Sequence, residues 1–385
     1  MKNILIIQYG DYREAYQRFA AGGAETYRDQ KQSVDYVAGL AAQGRVTTVA
    51  FSKEPYSEEL APGLWAAGLP LDTPGPGGIA RVFDQADPTH VLLRTPKTEF
   101  LQEAMRRRAH VLPSFADIFS RGGPRTTWNN FRLRRALLAG KISCFANHSL
   151  NASRSLVDVL GLPPDKVVPW DRNKLPVHPE PRSGIADPDH PTAFFAGMVT
   201  EEKGVGDCLQ AIARLKDEGV WLQMRFAGQG DLDHWRARAA KLDIADRTDF
   251  PGTLPNAEVR AEMRACDFVI VPSRHDYAEG LPNTLCEGLA ARAVVVISDH
   301  PAFVSRFDRD RDVSVFEAGN PGALAENIKA LVENQALYKA LSENAPQAHD
   351  KLYVGMEWTA LVDSFLEDPE NRSGWVGKNA LSQLI

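Results

Sequence analysis

Cysteine is scarce. The chain has four in 385 residues, Cys144, Cys208, Cys266 and Cys286, scattered through apolar surroundings. None stands at metal-ligand spacing from another, which excludes a disulfide scaffold and a zinc module and predicts buried free thiols in a reducing compartment. No run approaches the ~18 apolar residues of a membrane span. The opening stretch, MKNILIIQYGD, turns polar too soon for a secretory leader and reads as a first strand. There is no internal repeat and no low-complexity tract. A serine-histidine-acid order, a Walker loop and a lysine placed to hold pyridoxal are also missing.

What is present is an ordinary globular composition, 44% hydrophobic and 24% charged, with 29 glycines and 25 prolines. A chain of this length is long for one core, so two domains are expected. Apolar runs of strand length alternate with segments of helical period, the pattern of parallel sheets covered by helices. Strands are expected over Ile4–Gln8, Val46–Phe51, Val91–Thr95, Val111–Phe115 and Ile142–Ala146 in the first half. In the second half they are expected over Ala193–Gly197, Leu222–Ala227, Thr248–Leu254, Phe268–Val271 and Val294–Ser298. Residues 55–78, rich in proline and glycine, resist assignment. Asp171–Pro191 holds five prolines and no apolar period, and reads as a linker. A helix is expected over His349–Leu366, followed by a poorly ordered tail from Pro369.

The stretch Pro272–Ala291, PSRHDYAEGLPNTLCEGLAA, concentrates the chemistry. It follows the apolar strand Phe268–Val271 and opens a helix near Asn283. Glu279 falls in the loop at the carboxyl end of the strand, where open α/β sheets bind ligands. Glu287 falls about one turn inside the helix. Between them lie Gly280, Pro282 and the first free amides of the helix, a ready anion site. Two surface acids at a helix start, favoured by the macrodipole, are the bland alternative.

This stretch resembles the donor-binding motif of family 4 retaining glycosyltransferases, in the EGLPNTLCE form common among members that build bacterial polysaccharides. The resemblance implies an α/β protein of GT-B fold: two Rossmann-like doubly wound domains facing a central cleft. It implies an N-terminal acceptor domain over 1–172, a linker over 173–191 and a nucleotide-sugar donor domain over 192–348. Residues 349–385 would then form a helix crossing back to the first domain, and a tail. Glu287 would hold the ribose of a sugar nucleotide, and Glu279 would sit beside the transferred sugar. Gly280, Leu281, Pro282, Asn283, Thr284 and Leu285 would line the donor. Gly228, in a Gly-x-Gly turn, and Leu254, in TDFPGTL at the nucleobase, would complete its site. Gly22 and Gly23, in GGAE, would form the glycine-rich loop facing the cleft.

Lys203-Gly204 match the family's Lys-Gly, with Lys203 as a diphosphate ligand. Met198 stands where the family has an arginine, and Arg274 is the candidate replacement. Ala116 stands where many members carry a histidine, beside a retained Asp117, which joins Lys203, Arg274 and Glu279 as a candidate catalytic residue. His148 is a second histidine candidate of the first domain, with a structural role as its alternative. The implied activity is retaining transfer of a hexose, UDP-sugar first and GDP-sugar second, to a hydroxyl of a surface glycan, lipopolysaccharide or lipid-linked acceptor. No metal and no cofactor beyond the co-substrate is expected. The Asp308–Asp312 run reads as a solvated loop. Two competitors stay open: an epimerase or phosphorylase on the same fold, and a sugar-nucleotide binder that has lost transfer.

Charge is unevenly distributed. Between Met105 and Lys141 stand nine basic residues, Arg106, Arg107, Arg108, Arg121, Arg125, Arg132, Arg134, Arg135 and Lys141, against a single acid, Asp117. The window carries +8 and the rest of the chain −14. Trp128, Phe131, Leu133, Leu137 and Leu138 are interleaved with its second half. Such a stretch suits an anionic membrane surface or a phosphorylated acceptor, or else a solvated helix face. Nucleic acid is not expected of an acidic chain without a nucleic-acid module. The expected location is cytoplasmic, peripheral on the inner membrane face.

Overall fold

The computed structural model describes residues 2–70 and 76–384. Residues 71–75, inside the unassigned 55–78 stretch, lie outside the described residues, as do the two terminal residues of the expected first and last segments. The chain divides into two compact units. Unit 1 comprises residues up to Ala24, Asp29–Asn173 and Val354 onward; unit 2 comprises Glu25–Arg28 and Lys174–Tyr353.

The elements of the first half are β1 (Lys2–Ile7), α1 (Tyr12–Ala20), α2 (Gln30–Leu40), β2 (Gly44–Ser52), β3 (Tyr56–Ala61), β4 (Leu64–Pro70) and α3 (Pro76–Ala86). They continue with β5 (His90–Leu93), α4 (Thr98–Arg106), β6 (His110–Phe115), α5 (Pro124–Ala139), β7 (Phe145–His148), α6 (Ser149–Asp158) and β8 (Val167–Trp170). The second half holds β9 (Thr192–Ala196), α7 (Val205–Asp217), β10 (Gln223–Ala227), α8 (Leu232–Lys241), β11 (Thr248–Gly252), α9 (Asn256–Ala265) and β12 (Phe268–Val271). Then come α10 (Asn283–Ala290), β13 (Val294–Ser298), α11 (Pro301–Val304), β14 (Ser314–Phe316), α12 (Pro321–Glu333) and α13 (Gln335–Asp350). The chain closes with α14 (Trp358–Glu367) and α15 (Trp375–Lys378).

Each unit is a doubly wound sheet. Unit 1 has the strand order β3-β4-β2-β1-β5-β6-β7-β8, and unit 2 the order β11-β10-β9-β12-β13-β14. All pairings are parallel except β3 with β4. The strands read as unbroken apolar runs because both sheet faces are covered. Alternate side chains feed two cores. In β12, Phe268 and Ile270 join one cluster while Val269 and Val271 join the other. In β1, Leu5 and Ile7 face one side while Ile4 and Ile6 face the other. Strand order reverses between β1 and β5 in unit 1 and between β9 and β12 in unit 2. Crevices outside the strand carboxyl ends at such reversals are where α/β sheets take ligands.

Several elements differ from expectation. The expected linker, Asp171–Pro191, is largely docked on unit 2. Arg182 donates to the carbonyls of Met263, Arg264 and Arg292, and Ile185 is buried in the unit 2 core. Its prolines remove helix and strand pairing without preventing packing. The single helix expected over His349–Leu366 is broken: α13 ends at Asp350 and α14 starts at Trp358. The tail from Pro369 is ordered, since Trp375 and Val376 are buried with Phe365 in one cluster and Leu381 joins another. Two buried apolar side chains on a four-residue helix leave no periodic signal. In the Asp308–Asp312 run, Asp312 is buried and takes Lys351 Nζ at 2.5 Å, so that acid is a packing element. Before Gly22 the chain forms helix α1, which is not among the elements expected from the sequence, capped by Asp11, whose carboxylate accepts from the amide of Arg13 at 2.9 Å.

His90 opens β5 with its ring edge-on to Phe365 and beside His110. Burial, with His110 and Lys2 adding to it, lowers its pKa from 6.5 to about 4. A folded-state pKa below the unfolded one means the folded form resists protonation, so stability falls as pH drops from 6.5 toward about 4. His349 in unit 2 is lowered to about 4 by burial and acts with the same sign. The expected outcome is a melting temperature that declines across this range in the native chain. It should decline less in His90→Gln and least in the His90→Gln, His349→Gln pair, as measured by calorimetry at stepped pH.

Candidate functional site at the strand reversal of unit 2

β9 ends at Ala196 and β12 at Val271, side by side at the reversal of the unit 2 sheet. The two loops that leave them carry the site. After β9 the chain turns through Val199–Gly204 before α7. Gly204 has φ +77°, and a Cβ there would lie 2.1 Å from the carbonyl oxygen of Pro272. Both facts demand glycine. The absent side chain lets this turn lie directly on the chain leaving β12, and the amide of Arg274 donates to Glu202 O at 2.9 Å to fasten it. Lys203 is thereby brought over the β12 loop. The neighbouring turn after β10 is equally tight, for a Cβ on Gly228 (φ +146°) would meet Gly197 O at 1.7 Å.

Lys203 and Glu279, 76 residues apart, form an ion pair through Nζ and Oε1, both side chains largely buried. Ser273 Oγ donates to the same carboxylate oxygen at 2.6 Å. The lysine ammonium also lies 4.3 Å from the ring centre of Tyr277, a cation–π contact. Burial, with the charges of Glu279 and Glu202 adding to it, raises the Tyr277 phenol pKa, so the ring stays neutral. His300 fixes the loop behind. Its Nδ1 accepts from the amide of Ala302 at 3.0 Å, so the proton sits on Nε2, 3.0 Å from Tyr277 O. Burial lowers the His300 pKa and favours that neutral form.

Helix α10 starts behind Pro282 with no side-chain cap on its first amides. Gly280, Leu281, Pro282 and Asn283 lead into it, and Thr284 Oγ1 donates to Ala196 O at 2.6 Å, pinning the helix start to the end of β9. Leu285 is fully buried in the core. Glu287, further along the helix and 4% exposed, accepts from Asn256 Nδ2 at 2.7 Å. It borders a hollow shared with Arg260 and His178. Leu254 packs against the core beneath β11's end.

Arg274 is placed differently from its expected role as a spare diphosphate cation. Its guanidinium grips the buried Asp207 through two bonds, 2.8 and 2.6 Å, and Glu201 through a third, 2.8 Å. Arg238 binds the other oxygen of Glu201 at 2.6 Å. The hydrogen bonds it donates to Asp207 chiefly hold the arginine firmly charged. Met198, at the position of the missing arginine, is 46% exposed.

The remaining candidates lie in unit 1. Asp117 follows β6, and Tyr9 Oη donates to its Oδ1 at 2.8 Å. Burial raises the Asp117 pKa against that bond. His148, at the end of β7, lies 3.6 Å from the buried Asp171 and packs on the ring of Trp170. Gly22 and Gly23 follow α1, where the Gly23 amide closes on Arg18 O at 2.8 Å. Sequence reasoning missed Ser273, Tyr277, Asn256 and Asp207. Ser273, directly after a buried strand and before Glu279, was findable by position. Asn256 and Asp207 carried no local signal.

Residues 179–348 match the family described as glycosyl transferases group 1. The chain is 27% identical over 248 residues to the 2-deoxystreptamine glucosyltransferase of Streptomyces kanamyceticus, covering 62% of this chain and 59% of that one. It is 30% identical over 192 residues to the phosphatidyl-myo-inositol mannosyltransferase of Mycobacterium tuberculosis, covering 48% of each. The chain thus spans about half the length of these relatives. The solved structure of Anabaena HepE in complex with UDP superposes with a TM-score of 0.68 at 14% identity, covering 96% of this chain and 99% of that one. The α/β architecture is that of the GT-B glycosyltransferases.

The Gly204 turn gives a direct check. Gly204→Ala forces a left-handed backbone, at about 1–2 kcal/mol, and drives a methyl into Pro272 O. The unfolding free energy of unit 2, extrapolated from urea titration, should fall by at least that amount, while an Ala substitution at the exposed, unconstrained Gly77 leaves it unchanged.

Proposed function

We propose that this chain, whose residues 179–348 are a domain of the glycosyl transferases group 1 family, is a retaining hexosyltransferase. It takes a nucleoside diphosphate sugar, UDP-sugar first and GDP-sugar second, and glycosylates a hydroxyl of a bacterial surface glycan, lipopolysaccharide or lipid-linked acceptor. The observation that carries the reading is the meeting of Lys203 and Glu279 at the strand reversal, beside the uncapped start of α10. A cation and helix amides are what a departing diphosphate requires, because negative charge grows there as the sugar–oxygen bond breaks. One such preorganised donor contributes about 2.7–4 kcal/mol.

In this reading the donor diphosphate replaces Glu279 as the partner of Lys203. Glu279, still held by Ser273, turns its charge to the sugar ring, which gains positive character. Glu287 holds the ribose, with Asn256 fixing its carboxylate. The acceptor oxygen bonds to the anomeric carbon on the face the diphosphate leaves, and its proton passes to a leaving phosphate oxygen. No side-chain base and no metal is needed, which suits Ala116 in the place of a histidine. Arg274 acts through Asp207 and Glu201, holding the Lys203 turn, rather than on the diphosphate. Unit 1, with Asp117, Gly22 and Gly23, takes the acceptor. A second reading, binding without transfer, is favoured by one observation: Met198 leaves the diphosphate a single obvious side-chain cation.

The proposal extends to location. Helix α5 buries Leu133, Ala136 and Leu137 and turns Trp128, Phe131 and Leu138 outward, with Trp128 stacked on Phe131. Arg125, Arg134 and Arg135 on the same helix make no side-chain ion pair among the described residues. Arg106 and Arg107, by contrast, are bound to Glu103. An exposed aromatic pair ringed by unpaired arginines fits an anionic bilayer, at ~1 kcal/mol per cation near the surface. The enzyme would dock there from the cytoplasm. No helix among the described residues is long and apolar enough to cross a membrane.

Calorimetry with nucleoside diphosphates and their sugars tests the donor site. Glu287→Ala should weaken both the bare nucleotide and the full donor by about 1.5–3 kcal/mol. Glu279→Gln should spare the bare nucleotide and lower kcat. Sugar-nucleotide binding with neither hydrolysis nor transfer across a broad acceptor panel would select the second reading. Unchanged affinity in folded Glu287→Ala would remove that residue from the site.

Liposome sedimentation tests docking separately. Binding should require anionic lipid, fall as salt screens the charges, and weaken in the Arg132, Arg134, Arg135 triple-alanine variant. Absence of sedimentation at low salt would leave a soluble acceptor.

A further inference from the structure

A second basic feature of unit 1 lies at the opposite edge of its sheet from Asp117 and His148. The amino ends of β6, β7 and β8 border a groove of about 990 Å³. Arg108, just before β6, Lys141, just before β7, and Lys166, just before β8, all line it. All three are exposed, and their side chains make no ion pair or hydrogen bond among the described residues. His110 adds an imidazole to the same wall. The acid of the lining, Glu370, is already engaged by Arg372 through Nε at 2.9 Å and Nη2 at 2.5 Å. Met105, Val111 and Ile142 give the groove an apolar floor.

Arg108 is the telling member. It follows α4 with φ +59°, its amide closing on Met105 O at 3.0 Å. This is the left-handed position after a helix that glycine or asparagine fills without strain. An arginine there accepts backbone strain, and such strain points to a role for the side chain. Three cations line one groove from three strand starts, and the acid of its lining is bound to Arg372, so the groove offers positive charge over an apolar floor.

We propose that this groove binds a phosphate monoester, its dianion taken by Arg108, Lys141 and Lys166 and its organic part laid on the apolar floor. The site is separate from the strand-reversal site of unit 2 and does not depend on the donor reading. Arg108 and Lys141 also stand just past the carboxyl ends of α4 and α5, where cations complement the macrodipole. A role confined to that would affect stability and bind nothing.

The test follows backbone amide shifts of the full chain. Inorganic phosphate and glycerol 3-phosphate are titrated in, and residues 108–111 and 139–143 are read. Saturable shifts are expected, with affinity falling at least tenfold in Arg108→Asn, Lys141→Ala, Lys166→Ala; asparagine keeps the left-handed turn. A second arm uses phosphatidylcholine vesicles carrying phosphatidic acid, with Trp128→Ser, Phe131→Ser to silence α5. Recruitment lost in the groove variant, without a response to the soluble esters, assigns the phosphate to a lipid headgroup; a soluble response assigns it to a free ester. No response in either arm, responses that persist in the groove variant, or a variant that loses only stability would each overturn the site. Nucleotide titration of the same samples reports on the unit 2 site independently, so either failure is recognisable.

Discussion

The ion pair between Lys203 and Glu279 is the contact on which the unit 2 site depends. Taking two charges out of water is costly, and their attraction offsets the cost when geometry and extra hydrogen bonds are good. Here Ser273 supplies the extra bond and the Tyr277 ring supplies a second face for the ammonium. The pair closes a circuit between the chain leaving β9 and the chain leaving β12. That circuit needs the bare backbone of Gly204 against Pro272. Losing Glu279 leaves the Lys203 ammonium largely buried without its carboxylate. In the proposed donor reading, a bound diphosphate would replace one anion by another at the same lysine.

A second electrostatic layer supports the first. Arg274 bonds the buried Asp207 at the start of α7 and reaches Glu201, which Arg238 holds from the far side. The Lys203 turn lies between these contacts. An arginine that the sequence suggests as a substrate cation thus already has two carboxylate partners, and its charge is spent on rigidity. Precise placement of Lys203 follows from this, and the proposed role of its ammonium would depend on that placement.

Much of this was legible beforehand, and the reasons differ by residue. The buried strands announced themselves as apolar runs, because parallel sheets cover both faces. Glu279, Gly280 and Pro282 were readable as the loop after a strand carboxyl end, which is where they lie, between β12 and α10. Lys203 was readable by its place before a helix, but its partner was not, for 76 residues separate the two. The grip of Arg274 on Asp207 was hidden for the same reason. The short elements were illegible from the sequence. α15, at four residues, is too brief for periodicity, β3 and β4 fall in the proline- and glycine-rich stretch 55–78, and the prolines of 174–191 hid a segment that packs by side chains. The basic window was visible as a count, whereas its division into paired arginines, an exposed α5 face and a groove at the strand starts needed three dimensions.

The most direct measurement is a crystal structure of the chain with an intact nucleoside diphosphate sugar. The account predicts that Lys203 Nζ leaves Glu279 for a phosphate oxygen, while Glu279 stays on Ser273 and faces the sugar. A diphosphate bound elsewhere, with the Lys203–Glu279 pair undisturbed, would contradict it.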